Sequence, residues 1–423
     1  MPMACTKAVA HHVERSALQI PSRLWFHLSW ASMMFVLAGM VSGCAATSVR
    51  LPAVPLAKAA EAAPLGIVDA RFYMNGDKEK VQALAHAVAA KGQRALAAGQ
   101  LNSPPNQSDY LAISGGGDDG AFGAGLLLGW TERGDRPTFA IVTGISTGAL
   151  SAPFAFLGPE YDARLKAVYT DVSAEDIFTK RPVIVAALAD DAMTDTTPLR
   201  KLIARNLDQE MVRRIGEEYD KGRLLLIATT NLDQSQSVVW NIGALAKSGD
   251  PRARELIIDV LMASAALPGV FPPVMLDIVV DGHRYQEMHV DGGAVAQSFL
   301  YPTSFSLKWL DKKMGLKRKR SAYVIRNGRL SPPEDTVKRQ TLSIVGQTVS
   351  TMIASSGVND SYRIYLETKR DGVGFNLAFI GDDFTTLYSG PFDKAYMRKL
   401  FAYGFEKGKA GYRWHAKPPD YAE

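Results

Sequence analysis

The sequence predicts an α/β fold with parallel strands, and two stretches carry that expectation. Residues 110–113 are a short apolar run. They lead into Ser114-Gly115-Gly116-Gly117-Asp118-Asp119-Gly120 and then into a helical run over 121–130. Residues 139–142 are a second apolar run, followed by Gly144-Ile145-Ser146-Thr147-Gly148 and a helix-like run over 149–156. Strand, glycine turn, helix, strand, sharp turn, helix is the order of a parallel sheet with helical crossovers. Composition agrees: of 423 residues, 47% are hydrophobic and 22% charged, which is globular usage and leaves room for one large α/β domain with attachments. Two cysteines, Cys5 and Cys44, exclude a disulfide scaffold or a cysteine zinc site. A net charge of +5 does not call for a nucleic-acid partner.

The N-terminus reads as an address. Lys7, Arg15 and Arg23 face a single acid, Glu14, and the apolar run 28–43 carries no charge over 16 residues. That is short of the ~20 residues a membrane-spanning helix needs. A basic start, a short apolar stretch and the small residues of Val41-Ser42-Gly43-Cys44 mark residues 1–43 as a secretory signal. The ending resembles a bacterial lipobox, in which Cys44 would be lipidated and become the first residue of the mature chain. An uncleaved signal anchor is the alternative. Ala45 after that cysteine then implies the outer membrane of a bacterial cell envelope, facing the periplasm or the surface. Residues 44–107 read as a tether, rich in Ala and Pro over 45–64, plus a helix over 77–98. A break at 102–108 precedes the main domain, expected over 108–423 with its motifs within 110–329.

Three motifs carry the chemistry. Gly144-x-Ser146-x-Gly148 between a strand and a helix is a nucleophile elbow. Its glycines let the backbone turn tightly enough to lift a serine hydroxyl clear of the sheet, and the next helix turns its positive end towards it. Gly115-x-Gly117-x-x-Gly120 also fits a dinucleotide fingerprint. However, no acid ends the second strand to hold a ribose, and Asp118 and Asp119 would repel a pyrophosphate. An oxyanion hole built from the backbone N–H groups of the glycine loop fits better. The third motif ends in Asp291-Gly292-Gly293, a carboxylate at a strand end. Asp281-Gly282, earlier in the same stretch, reads as a hairpin turn. His289 is expected at the surface. His415 is the histidine that follows the acid, as a Ser-acid-His order would require, so a triad stays open at this point.

With Ala263-Ser-Ala-Ala-Leu-Pro-Gly-Val-Phe-Pro-Pro273, these features stand in an order that resembles the patatin-like phospholipases, their bacterial lipoprotein branch in particular. The resemblance implies a three-layer α/β/α fold around a mixed, mostly parallel sheet. It implies a Ser–Asp dyad, with Ser146 as nucleophile and Asp291 as base, and an oxyanion hole of Gly115, Gly116 and Gly117. It implies lipid acyl hydrolysis on a phospholipid or lysophospholipid, with no cofactor and no metal. The membrane would be reached through the N-terminal anchor. One departure stands out. The family usually carries Lys or Arg two residues after the third glycine, where this chain has Asp119. That leaves a non-catalytic lipid- or partner-binding lipoprotein as the alternative.

Further along, 198–219 reads as one amphipathic helix, 223–230 and 237–240 as strands, 251–267 as a helix and 321–325 as a strand. Residues 337–365 and 393–409 read as helices flanking a strand at 374–380. Residues 308–320 hold seven basic residues and one acid. A solvated loop is the first reading for them, and contact with an anionic membrane the second.

Overall fold

The computed structural model describes residues 50–100, 107–180, 194–330, 337, 339–419 and 421. The expected signal at 1–43 and Cys44 lie outside them. The strands are β1 (Arg71–Tyr73), β2 (Gln107–Ile113), β3 (Phe139–Gly144), β4 (Thr179–Lys180), β5 (Thr194–Asp195), β6 (Leu224–Asn231), β7 (Gln236–Asn241), β8 (Val274–Val280), β9 (His283–Asp291), β10 (Lys319–Ile325) and β11 (Gly374–Ala378). The helices are α1 (Lys78–Ala97), α2 (Gly120–Arg133), α3 (Thr147–Leu157), α4 (Asp162–Thr170), α5 (Thr197–Asn206), α6 (Gln209–Asp220), α7 (Ile242–Lys247), α8 (Ala253–Ser264), α9 (Leu307–Met314), α10 (Thr341–Asp371) and α11 (Lys394–Lys409).

β4 and β5 pair with each other, and the other nine strands form one mixed sheet. Its order is β1-β7-β6-β3-β2-β10-β11, with β9 added to β6 and β8 to β9. Five successive strands, β6, β3, β2, β10 and the edge strand β11, are mutually parallel, and the remaining pairings are antiparallel. Alternation along the strands sends side chains into two cores. Leu111 and Ile113 of β2 join Val142, Leu225 and Ile227 beneath α2, α3, α8 and α11. Tyr110 and Ala112 join Leu226, Ala322 and Val324 on the other face, against α1, α9 and α10. The expected three-layer α/β/α architecture is the observed one.

Two readings of the sequence need correction. Residues 198–219 form two helices, because the chain turns at Leu207 and the Asp208 carboxylate caps α6 by accepting from the Met211 N–H at 2.8 Å. Residues 50–64 are not a free tether. Val54, Ala59 and Ala62 are buried, Val54 and Ala62 against Ile278 and Val280 of the β8–β9 hairpin. The Gln286 N–H also donates to the Pro52 carbonyl. With β1 in the main sheet, residues 50–423 are one compact unit.

α2 and α11 approach backbone to backbone. A Cβ on Gly125 or Gly129 would lie about 2 Å from the Phe401 or Phe405 carbonyl oxygen, and one on Gly404 or Gly408 would strike the Phe122 or Leu126 carbonyl. Glycines four apart on both helices open a matched groove along each. This contact holds α2, and with it the glycine loop at its N-terminus.

β6 organises the edge that carries Ser146 and Asp291. β3 runs parallel to it and stops with Gly144 opposite Ile227. β9 comes from the other direction along the same edge and stops with Asp291 opposite Thr229. Two chain ends therefore meet head to head over Ala228.

Candidate active site

Ser146 stands at the tip of the turn after β3, with φ +56° and ψ −127°. A residue with a side chain rarely holds a positive φ, so its neighbours must enforce it. A Cβ on Gly144 would lie 2.5 Å from the Gly148 carbonyl oxygen, and one on Gly148 would lie 2.2 Å from that of Ile113. Both positions admit only glycine, and the turn closes against β2. α3 begins at once, with Ser146 at its N-cap.

Asp291 is buried at the end of β9 beside Ser146, whose hydroxyl favours the ionised carboxylate. The carboxylate accepts from the Gly293 N–H at 2.7 Å. Burial raises its pKa to about 6 from the usual carboxylate range, and the Ser146 hydroxyl and the Gly293 N–H pull the other way. A carboxylate in this state is a stronger base than a solvated one and still ionised at neutral pH.

A single residue holds both halves of this pair. The buried Ser264 hydroxyl accepts from the Ser146 N–H at 3.0 Å and donates to the Ala228 carbonyl at 2.7 Å. Two residues on, the Ala266 carbonyl accepts from the Asp291 N–H at 2.9 Å. The stretch after α8 thus ties the elbow, the base and β6 together. The sequence around Ser264 gives no sign of this role, since its partners are 118 and 36 residues away.

The glycine loop corrects one expectation. The Gly115 N–H already donates to the Gln297 carbonyl at 3.0 Å, so it is not free for an oxyanion. Gly116, with φ +151°, and Gly117, with φ +58°, carry the turn, and their N–H groups donate to no acceptor among the described residues. Asn327 fixes this turn. Its side-chain amide donates to the Ser114 carbonyl at 3.0 Å, its Oδ1 accepts from the Gly123 N–H at 3.1 Å, and a Cβ on Gly116 would strike its carbonyl. The two acids turn away into the C-terminal segment. Asp118 accepts from the Phe392 N–H at 3.0 Å, and Asp119 from the Tyr396 hydroxyl at 2.7 Å. Burial raises Asp119 to about 7, so near neutrality much of it is uncharged beside the loop.

Neither His415 nor His289 enters the site. His415 bridges to Leu377 of the edge strand β11. β2 and β10 lie between β11 and β3, so roughly 19 Å of strand spacings separates it from the elbow. That removes the triad. His289 is fully buried rather than on the surface. It is bonded to Thr229 at 2.9 Å and to Glu287 at 3.1 Å, and Glu287 is in turn paired with buried Arg71. The basic segment 308–320 spans α9 and the start of β10. That is the opposite end of the strands from Ser146, and Arg320 is committed to Asp311 and the Tyr110 hydroxyl. An apolar cavity of about 30 Å³ lies beside α3, lined by Leu150, Pro153, Phe154, Val168 and Leu261. It holds a water or a methylene or two, not an acyl chain.

Residues 111–302 match the family model of the patatin-like phospholipases. Among solved structures, the chain is similar to VipD from Legionella pneumophila at 12% identity and a TM-score of 0.36, covering 73% of this chain and 67% of that one. It is also similar to human GIVD cytosolic phospholipase A2 at 12% identity and a TM-score of 0.27, covering 76% of this chain and 54% of that one. The chain thus spans about half of the human protein. No curated protein matches the sequence.

Proposed function

We propose, with residues 111–302 as a patatin-like phospholipase domain for premise, that the protein is a serine acyl hydrolase of lipid esters, acting as a phospholipase A or lysophospholipase. The observation that carries this reading is Ser146, held at a strained elbow, set beside the buried carboxylate of Asp291 at the end of β9. In the reaction, Ser146 Oγ attacks the ester carbonyl as Asp291 takes its proton. The carbonyl oxygen becomes an oxyanion facing the Gly116 and Gly117 N–H groups. One such donor is worth roughly 10²–10³ in rate. Collapse expels the alcohol, which Asp291 protonates. Water, deprotonated by the same carboxylate, then frees the fatty acid from Ser146. The strain at Ser146 and the Ser264 brace keep the nucleophile in place, so little reorganisation is needed as charge develops.

The N-terminal reading belongs to the same proposal. Cys44 would carry the lipid that holds the enzyme at the cell envelope of a bacterium, on the outer membrane. A Cys44→Ala chain would then leave the membrane fraction and retain activity on a soluble ester.

A fluorophosphonate probe tests the chemistry. The wild-type chain labels, Ser146→Ala does not, and Asp291→Asn labels at a small fraction of the wild-type rate. A wild-type chain that resists the probe would leave the non-catalytic lipoprotein as the reading to adopt.

A further inference from the structure

α10 is 31 residues long, and only its C-terminal part packs on the sheet. Asp371 ends it just before β11, so the helix runs back along the strands towards the edge that carries Ser146 and Asp291. Asp360 reaches that edge, where its carboxylate accepts from the Gln297 and Ser298 N–H groups. One and a half turns earlier, the Ala354 carbonyl accepts from Arg326, one residue from the Asn327 that clamps the glycine loop. Residues 341–353 project roughly 20 Å past this tie at the usual helical rise. Among their described side chains none is buried, and Ile344, Val349 and Met352 are 50%, 42% and 66% exposed.

Two features of this projection point to its surroundings. No charged residue occurs from Thr341 to Asn359. A helix docked on a protein keeps a charged face for water, whereas this one is uncharged around its whole circumference. The hydroxyls of Thr348 and Thr351 are turned inward, donating to the Ile344 and Gln347 carbonyls at 2.8 Å. Satisfying the backbone and these two hydroxyls within the helix lowers the cost of leaving water. Other exposed apolar groups stand at the same edge. Val295 follows the Asp291 turn, and Leu387, 88% exposed, precedes Tyr388, whose hydroxyl is raised in pKa by burial first and then by Asp118 of the glycine loop. Three separate chain segments thus present apolar side chains around the mouth of one site.

We propose that residues 341–353 of α10, with Val295, Leu387 and Tyr388, form a docking surface that enters the interfacial layer of a lipid membrane and seats Ser146 at the level of the ester bonds. This rests on the reading of the substrate as a lipid. The projection is shorter than the ~30 Å hydrocarbon core, so it dips into one leaflet and does not span.

The test places an environment-sensitive nitrobenzoxadiazole label at position 352 by Met352→Cys in the full chain. Cys5→Ser and Cys44→Ser remove the other thiols, and Ser146→Ala spares the lipid. Vesicles of phosphatidylcholine and phosphatidylglycerol with nitroxide-bearing acyl chains are added. The label is expected to brighten several-fold, shift to the blue and be quenched by the nitroxides, while the same label at Lys369→Cys stays in water. In the otherwise wild-type chain, Ile344→Asp with Met352→Asp should slow vesicle hydrolysis by about tenfold or more and leave soluble butyrate ester hydrolysis within about twofold. A label at 352 that stays in water on vesicles the wild-type chain hydrolyses overturns the proposal. So does a blue shift that needs only more protein and no lipid, which would make the surface a self-association face. A chain whose label enters the bilayer but which hydrolyses no soluble ester keeps the docking surface and loses the hydrolase reading.

Discussion

Ionised Asp291 is the form that can take a proton from Ser146, so activity should rise with pH through an inflection near 6. Stability has the opposite slope. A carboxyl raised by burial holds its proton more tightly in the folded chain than in the unfolded one. Folding free energy is therefore lost as pH climbs from the ordinary carboxylate range through about 6. Asp291→Asn should accordingly be more stable than wild type at pH 8, by roughly 2 kcal/mol in a denaturant titration, while inactive. Asp119 also titrates late, near 7, but Asp119→Asn should leave the inflection near 6 where it is, because Asp119 bonds Tyr396 and not Ser146. Ser264→Ala removes the acceptor for the Ser146 N–H and the donor to Ala228. It should lower kcat by about tenfold or more with KM little changed, since it acts on the geometry of the nucleophile and not on substrate contacts. The turns that hold Ser146 and Asp291 were legible in the sequence because their glycines are a local signal. Ser264, Gln297 and Asn327 were not, because each acts through partners more than thirty residues away. For the same reason the loss of Gly115 as a donor was invisible: its N–H is taken by a carbonyl 182 positions downstream.

Elements with a local signature were read well. Asp281 and Gly282 both have positive φ, 51° and 75°, as a two-residue hairpin turn demands, and β8 and β9 flank them. Elements whose shape depends on packing were not. Leu207 and Asp208 fit an unbroken amphipathic pattern, and the helix break shows only in the cap that Asp208 makes. Residues 50–64 have the composition of a linker, yet they cover the β8–β9 hairpin, and β1 supplies Arg71 to Glu287 beneath it. That buried pair holds the strand that ends in Asp291. Arg71→Met would leave buried Glu287 charged with the His289 ring as its remaining partner, at a cost of roughly 3 kcal/mol, seen as a large drop in Tm. The α2–α11 contact makes an equally sharp demand. Gly125→Val would drive a side chain into the Phe401 backbone, and the helices must separate. The expected outcome is a loss of several kcal/mol of stability together with weaker probe labelling at Ser146, because α2 carries the glycine loop.

At the scale of the molecule, the family match ends at Pro302, but the folding unit does not. β10 covers the edge of β2, β11 covers β10, and α11 lies in the glycine groove of α2. A chain ending at residue 302 should therefore be insoluble or molten, without cooperative melting by circular dichroism, although every catalytic group proposed for it is present. The three-layer plan was legible because parallel strands with crossover helices announce themselves in apolar runs and glycine turns. That the last thirty residues support the first motif was not, since nothing in the local pattern of 394–409 names α2 as its partner. The packing of α11 also sets an order in time. During synthesis the glycine loop, the elbow and the base all emerge long before the helix that clamps them. The site is then assembled only after α11 has followed, so the residues proposed for catalysis stay unorganised until more than a hundred positions beyond Asp291 have been made.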